Sequence, residues 1–320
     1  MHLRNYFDQN FFPSKYSAVI LLYHRIVDLE HDPQLLAVSP ANFDLHVKHL
    51  KKEYELLSFD DLSFLLKHGK QIPHRSVLIS FDDGYYDNFV YSKPIIETYD
   101  APAIYFITTS NINSKVQYWW DALEHCILKN NTFPLTIRFT CDENQISEYV
   151  LKNLSDNQAV YNKLIVKFRN IKPEYIINAI EEIEFICKKT EGRASHRAMS
   201  THELQELSKS PLVTIGAHTV NHPSLTALDL TLQRQEIQNS REQLSQLISK
   251  EIKYFSYPFG TVKDYDRETI KICEEEGFYL SAANYPGKTF KKTHKHKLPR
   301  NLVRNWDINE FSSKLSTFFK

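Results

Sequence analysis

The stretch Ser76-Val-Leu-Ile-Ser-Phe-Asp-Asp-Gly84 decides the fold. Its apolar residues form a short run that is typical of a buried strand, and two aspartates and a glycine follow where that strand ends. The glycine permits a tight turn, because it adopts backbone conformations that other residues avoid. Two carboxylates at such a place predict either a catalytic site or a cap on the next helix. The surrounding sequence has to distinguish the two.

Similar short apolar segments recur along the chain and alternate with longer amphipathic ones, which is typical of strands joined by helices. The predicted strands are Ala18–Tyr23, Leu56–Phe59, Ser76–Phe81, Ala103–Thr108, Leu212–Ile215, Lys253–Ser256 and Phe278–Ala282. The predicted helices include Ala41–Glu53, Phe89–Thr98, Leu228–Ser249 and Arg267–Glu276, and Ser200 is predicted to cap a further one. Seven strands and their helices predict a barrel or a doubly wound sheet.

The region between the fourth and fifth strands is far longer than a single crossover, which needs about a dozen residues. We therefore predict one barrel domain, formed by residues 1–110 and 200–320, and a helical insertion or cap at residues 111–199. Helical patterns in the insertion cover Gln158–Arg169 and Glu174–Lys189. Trp119 and Trp120 are predicted either to contact the active site or to pack in the insertion's own core.

The composition argues against a partner chosen by overall charge. The 320 residues include 39 Lys and Arg and 39 Asp and Glu, so no net field attracts nucleic acid. The four cysteines are scattered, and we expect reduced thiols. No apolar run reaches the ~20 residues that span a bilayer, and no signal peptide is recognisable. We expect a cytoplasmic protein without a transmembrane segment, and peripheral membrane contact stays open.

A second motif, His218-Thr-Val-Asn-His222, also follows a predicted strand. Two imidazoles four positions apart can converge on one cation, and catalytic zinc commonly takes three nitrogen or oxygen ligands from the protein. Two histidines and one aspartate of Asp82 and Asp83 would meet that requirement. The other aspartate would remain as a base for an attacking water. The carboxyl ends of parallel barrel strands, where catalytic groups gather, would bring these residues together.

Two further strand ends contribute candidates. Tyr257-Pro-Phe-Gly260 forms a rigid turn whose backbone N–H groups could face an oxyanion, so Tyr257 and Phe259 are candidates for oxyanion or substrate contacts. His24 follows the first strand and is either a catalytic group or a histidine that is hydrogen-bonded in the barrel mouth.

The motifs SFDDG, HTVNH and FSYPFG, in this order, resemble those of the polysaccharide deacetylases with a NodB-homology domain. The resemblance extends from about Tyr23 to Arg300 and implies an irregular (β/α)7 barrel. It implies that Asp82 is the general base and that zinc or a similar divalent ion is bound by the other three residues, Asp83, His218 and His222. The backbone N–H of Phe259 would then contact the acetyl oxygen.

The sequence departs from the family pattern in two places. Ser256 stands where an arginine usually orients the base, and Arg300 of the Leu-Pro-Arg motif is our candidate for that role. The late Leu-x-His motif that supplies the general acid is not recognisable. His24 is our candidate for the acid, with His294 and His296 as rivals.

The implied reaction is hydrolysis of an N-acetyl group on an amino sugar, with Asp82 as base and His24 as acid. The YHRI start and the Leu-Pro-Arg motif resemble members associated with bacterial surface-polysaccharide synthesis, so a nucleotide-linked or lipid-linked precursor or an oligosaccharide is the expected substrate. The basic run Lys288–Lys297 either contacts phosphates or is a solvated loop. A carbohydrate-binding pseudoenzyme is the main alternative. A two-carboxylate glycosidase is disfavoured, because Asp82 and Asp83 are adjacent.

Overall fold

A curled parallel sheet forms the centre of the protein, in a computed structural model that describes residues 16–114, 116–143 and 145–320. The strands are β1 Ala18–Tyr23, β2 Arg25–Ile26, β3 Ala37–Val38, β4 Glu55–Leu56, β5 Ser76–Phe81, β6 Ala103–Ile107, β7 Leu135–Asp142, β8 Gln145–Leu151, β9 Val213–Ala217, β10 Tyr254–Ser256, β11 Leu280–Ala282 and β12 Asn301–Leu302. The order across the main sheet is β11-β10-β9-β6-β5-β1-β12, and β4 pairs with β5 outside this path.

The sheet curls far enough for its two end strands to be linked. β12 at one end of the sheet pairs with β1. Leu298, three residues before β12, reaches β11 at the other end. Its N–H donates to the carbonyl oxygen of Ser281, and its carbonyl oxygen accepts from the N–H of Ala283, just after β11. The seven strands of this path therefore form a distorted barrel. The predicted irregular (β/α)7 barrel is confirmed.

One predicted strand was wrong. Leu56–Phe59 was predicted as a strand of the barrel. The strand at this place, β4, covers only Glu55–Leu56 and pairs with β5 outside the seven-strand path. Ser58 caps a helix that begins at Phe59, and Asp61 completes a capping box with it. The seventh strand of the barrel is β12, which the sequence patterns did not predict.

The α-helices lie either around the barrel sheet or in the segment of residues 111–199 that follows β6. They are α1 Pro40–Glu53, α2 Phe59–Lys67, α3 Lys93–Thr98, α4 Trp119–Leu123, α5 Leu154–Phe168, α6 Pro173–Cys187, α7 Thr201–Ser208, α8 Leu230–Ile248, α9 Arg267–Glu275 and α10 Ile308–Phe318. Ser200 caps α7 as predicted, and its side chain accepts from the backbone N–H of Glu203. Among the described residues, no helix is both long and apolar enough to cross a membrane.

The insertion between β6 and α7 contains α4, α5 and α6 together with the antiparallel hairpin β7–β8. The hairpin was not predicted, because this segment was expected to be helical. The insertion has its own buried core, to which Trp119, Phe139 and Phe168 belong. An ion pair between Arg169 and Asp264 joins it to the barrel, with 3.0 Å between Arg169 Nε and Asp264 Oδ1.

The central strands β1 and β5 carry no Asp, Glu, Lys, Arg or His along their length. Every residue of β1 and β5 is buried, and Phe81 at the end of β5 stacks on Tyr105 of β6 with ring centroids 4.6 Å apart. Because strands buried on both faces cannot carry charged side chains along their length, the ionisable residues gather where the chain leaves the sheet. The carboxyl ends of β5 and β9 thus face the same mouth of the barrel.

Candidate metal centre

Asp83, His218 and His222 converge at the mouth of the barrel. Asp83 follows β5 and the two histidines follow β9. Asp83 Oδ1 lies 3.4 Å from His222 Nε2 and 3.7 Å from His218 Nε2, and the candidate ligand atoms of all three residues lie within 4.8 Å of one another. All three side chains are buried. The predicted ligand set is therefore assembled in one place.

The chemistry of this cluster fits a divalent cation. Asp83 Oδ1 is buried and accepts no hydrogen bond from the described residues, although a buried carboxylate normally needs a cation or a donor. Burial and the neighbouring charge of Asp82 raise the pKa of the Asp83 carboxyl, so the anion requires a positive partner. His218 Nδ1 lies 2.7 Å from the carbonyl oxygen of Ser256, which leaves its Nε2 free to face the cluster. One oxygen and two nitrogen donors are a typical ligand set of zinc.

The turn after β5 is held in an unusual backbone conformation. Asp83 has a φ of 74°, in the left-handed region that non-glycine residues rarely adopt, and Gly84 has a φ of 89°. A Cβ atom on Gly84 would lie 3.0 Å from Ile107, so the turn also needs a glycine for space. The Asp83 carbonyl accepts two hydrogen bonds, from Tyr118 Oη at 2.6 Å and from the Thr108 N–H at 3.2 Å. These two contacts fix the orientation of a candidate ligand.

Asp82 is bound by a buried arginine. Arg300 Nη1 donates to Asp82 Oδ1 and Nη2 donates to Oδ2, both at 2.7 Å, and Nη2 also donates to Ser256 Oγ at 2.7 Å. Burial alone would raise the pKa of the Asp82 carboxyl, but Arg300 outweighs burial and lowers this pKa to about 2. The guanidinium of Arg300 thus reaches the aspartate that it was predicted to orient, and Ser256 contacts both groups.

His24 lies at the same mouth, directly after β1. The Asp82 N–H donates to the carbonyl oxygen of the preceding residue, Tyr23, at 3.1 Å. The imidazole is half-buried, and its Nδ1 has no partner among the described residues. Burial lowers the pKa of His24 to about 4, against the opposing charge of Asp82. His24 is therefore neutral near pH 7 in the free protein and must take up a proton before it can act as an acid.

In the YPFG turn, the Phe259 side chain faces the site and the Tyr257 side chain lies in the core. Phe259 has a φ of 58° and its ring packs edge-on against His222, with centroids 4.8 Å apart. No acceptor for the Phe259 backbone N–H occurs in the described part of the chain, so this N–H is available to a ligand. The Tyr257 side chain is instead fully buried and donates to the carbonyl oxygen of His296 at 3.1 Å.

Comparison with known proteins shows which family the chain resembles. The polysaccharide deacetylase family model matches residues 174–280, which include both histidines and the YPFG turn. A Bacillus subtilis (strain 168) protein, YxkH, itself named as a candidate polysaccharide deacetylase, is 20% identical over 282 residues, which are 88% of this chain and 69% of that protein. The chain is thus similar to polysaccharide deacetylases, and residues 174–280 match their family model.

Solved structures of deacetylases share the fold. The Streptococcus pyogenes deacetylase PplD, in complex with acetate, superposes with a TM-score of 0.62 at 16% identity, over 93% of this chain and 98% of that one. IcaB from Ammonifex degensii superposes with a TM-score of 0.61 at 14% identity, over 95% and 97% of the two chains. The distorted barrel described above is thus the fold of known deacetylases.

Aromatic residues of the insertion complete the wall of the candidate metal centre. Trp120 packs edge-on against His222, with centroids 4.9 Å apart, and Tyr118 stacks on Trp120 at 4.6 Å. Trp119 packs against Phe168 in the insertion's own core. The sequence patterns left open which tryptophan reaches the site. Tyr118 was not recognised as a functional residue, because its contact with the Asp83 carbonyl spans 35 residues.

The two histidines that rival His24 make their contacts elsewhere. His296 is buried beside β11, where its Nδ1 lies 2.8 Å from Ser281 Oγ, and burial lowers its pKa to about 4. His294 lies in the same loop, with its ring 6.2 Å from that of His296. His24 is therefore the histidine that follows a strand at the same mouth as Asp82 and the ligand cluster.

Proposed function

We propose that this protein is a metal-dependent hydrolase that removes the N-acetyl group from an amino sugar of a polysaccharide, an oligosaccharide or a glycan precursor. One observation carries the proposal. A buried Asp83–His218–His222 cluster lies next to a second carboxylate, Asp82, which an arginine holds in place. The ligand set and the separate base are the two components that metal-assisted hydrolysis of an amide needs.

A divalent ion such as zinc would be held by Asp83, His218 and His222, where it would lower the pKa of an attacking water to ~7 and act as a Lewis acid on the carbonyl. Asp82 receives the proton of that water at a carboxylate oxygen. Its low pKa makes it a weak base, and Arg300 keeps both of its oxygens in a fixed plane. The Arg300 contact thus favours orientation at the expense of basicity.

Two further groups act on the substrate amide. The Phe259 N–H donates a hydrogen bond to the acetyl oxygen as negative charge develops on it. His24, neutral before the reaction, takes up a proton from solvent and delivers it to the departing amine nitrogen, while the proton that Asp82 accepted is returned to solvent. Around these groups, Trp120 and Phe259 shield the His222 imidazole from water. The products are acetate and a free amino sugar.

Acetate release tests this proposal. Metal-loaded protein is incubated with N-acetylglucosamine, its oligomers, N-acetylated nucleotide sugars and lipid-linked glycans. We expect release from at least one of them, and a loss of about 100-fold or more in Asp82→Asn, because a positioned base contributes ~10²–10⁴ in rate. Asp28→Asn, at an exposed position, serves as the matched control. Release from no substrate, with binding retained, would instead favour a carbohydrate-binding pseudoenzyme.

A further inference from the structure

The three residues between the two candidate histidine ligands, Thr219–Asn221, form a tight loop. Thr219 has a φ of 63° and His222 a φ of 56°, in the left-handed region that residues other than glycine rarely adopt. The loop also bonds to itself, because the His222 N–H donates to Thr219 Oγ1 at 3.0 Å. A backbone of this kind persists only where its surroundings hold it. The direction of the His222 imidazole therefore depends on the contacts that fix this loop.

One buried carboxylate, that of Glu236, binds the loop. Glu236 Oε2 accepts from the backbone N–H of Val220 at 2.9 Å and from that of Asn221 at 2.8 Å. Its Oε1 accepts from the side-chain amide of Asn221 at 2.6 Å. Glu236 is only 8% exposed, and the donors that it binds in the described part of the chain all belong to the loop. Burial of a carboxylate is costly unless donors compensate its charge, so the carboxylate and the loop stabilise each other's position.

Glu236 lies on a rigid part of the barrel. It belongs to α8, whose Ile237 and Leu244 are buried in the barrel core. On its other side the loop is bound by the segment that follows β6, because the Val220 carbonyl accepts from the Ser110 N–H at 2.9 Å. Val220 is thus fixed at its N–H by α8 and at its carbonyl by the end of β6. If the Glu236 contact is lost, only one of these two supports remains.

We propose that Glu236 is a positioning residue of the metal centre, which holds the loop Thr219–Asn221 in the conformation that presents both imidazoles to one cation. It acts through Val220 and Asn221, since these residues supply all of its described hydrogen bonds. The inference rests on the proposed function and adds to it a residue, 14 positions after His222, on which metal affinity depends. A carboxylate that only stabilised the fold would leave the metal affinity of the folded protein unchanged.

Zinc binding tests this role without requiring turnover. Glu236→Gln keeps the shape of the side chain but removes its charge and one of its two acceptor oxygens. Zinc affinity is measured by competition with a chromogenic chelator, and the absorption spectrum of the cobalt-loaded protein reports the ligand geometry. Glu182→Gln is the matched control, because Glu182 of α6 also binds a neighbouring segment, accepting from the Thr140 N–H at 2.7 Å inside the insertion. Urea unfolding of the metal-free proteins measures the loss of stability separately.

Glu236→Gln should bind zinc about 10-fold to 100-fold more weakly than the wild type, the range typical of residues that orient metal ligands. Its cobalt spectrum should also change, whereas Glu182→Gln should match the wild type in both measurements. If Glu236→Gln does not fold, Asn221→Ala removes only the 2.6 Å bond and keeps both backbone donors. That variant should bind zinc about threefold more weakly, because it loses one of three bonds. Wild-type zinc affinity in the folded variant would overturn the positioning role.

The same measurements separate this role from the proposed function. Weaker zinc binding by Glu236→Gln, without acetate release from any substrate by the wild type, would reject the proposed function alone. Acetate release by the wild type, with equal zinc affinity of wild type and Glu236→Gln, would reject the positioning role alone. A wild-type protein that binds no zinc would reject both.

Discussion

Loss of the Tyr118 hydroxyl should lower the metal affinity of the candidate site, although this hydroxyl contacts the backbone of Asp83 and not its carboxylate. In Tyr118→Phe the Asp83 carbonyl keeps its 3.2 Å bond from the Thr108 N–H but loses the 2.6 Å bond from Tyr118. One net hydrogen bond contributes about 1 kcal/mol to the free energy of unfolding. The greater effect should be on metal affinity, because Asp83 carries a φ of 74° and relaxes when its carbonyl is less constrained.

Contacts that orient metal ligands typically change affinity by ~10–100-fold. The Tyr118 hydroxyl bonds the backbone of the ligand rather than its carboxylate, so we expect the lower end, about tenfold. Zinc affinity is measured by competition with a chromogenic chelator, and stability by urea unfolding of the metal-free protein. Tyr285→Phe is the matched control, because its hydroxyl donates to the Lys297 carbonyl at the same distance of 2.6 Å, in a loop away from the ligands.

Both variants should lose similar stability, and only Tyr118→Phe should lose zinc affinity. If the two variants bind zinc equally well, the insertion does not hold Asp83 and the reasoning fails.

Three further predictions follow from buried groups. Burial lowers the pKa of His46 from 6.5 to about 4. The imidazole is therefore neutral in the folded protein and takes up a proton on unfolding below pH 6.5. His46 should thus lower the free energy of unfolding by about 3 kcal/mol between pH 6.5 and pH 4. His46→Gln should flatten the curve of unfolding free energy against pH, and an unchanged slope would contradict this. Gly84→Ala should lose about 2 kcal/mol in urea unfolding, because of its φ of 89° and the contact with Ile107; full stability would show that the turn relaxes. Arg300→Met should lose about 3–5 kcal/mol of unfolding free energy, because it leaves Asp82 unpaired. Arg300→Lys should recover this stability but not kcat, since an ammonium cannot bind both carboxylate oxygens. A kcat near wild type in Arg300→Lys would contradict the orienting role.

Local sequence signals predicted most of the barrel. β1 and β5 are continuous apolar runs bounded by polar residues, and the structure keeps the predicted bounds of both, Ala18–Tyr23 and Ser76–Phe81. Leu56–Phe59 failed because Ser58 and Asp61 form a capping box, a helix signal that competes with the apolar run. β12 has only two residues and depends on pairing with β1, so no local pattern indicates it.

In the candidate site, too, residues with local sequence signals could be predicted, and residues that depend on long-range contacts could not. The ligands could be predicted because each follows a strand end, and parallel strands bring their carboxyl ends together. Arg300 could be assigned only by resemblance, since 218 residues separate it from Asp82. The contact of Tyr118 with Asp83 depends on how the insertion docks on the barrel. That docking is a matter of tertiary packing, which the amphipathic pattern of α6 does not specify.

Metal titration of the deacetylation rate tests the central claim most directly. Protein stripped with a chelator is supplied with increasing zinc, and acetate release is followed on the best N-acetylated substrate of the panel, beside His222→Gln. We predict no release without metal, a rate that rises until one equivalent of zinc per chain is bound, and little release by the variant at that concentration. Equal release by the stripped protein, or by His222→Gln at one equivalent, would contradict a catalytic metal at Asp83, His218 and His222.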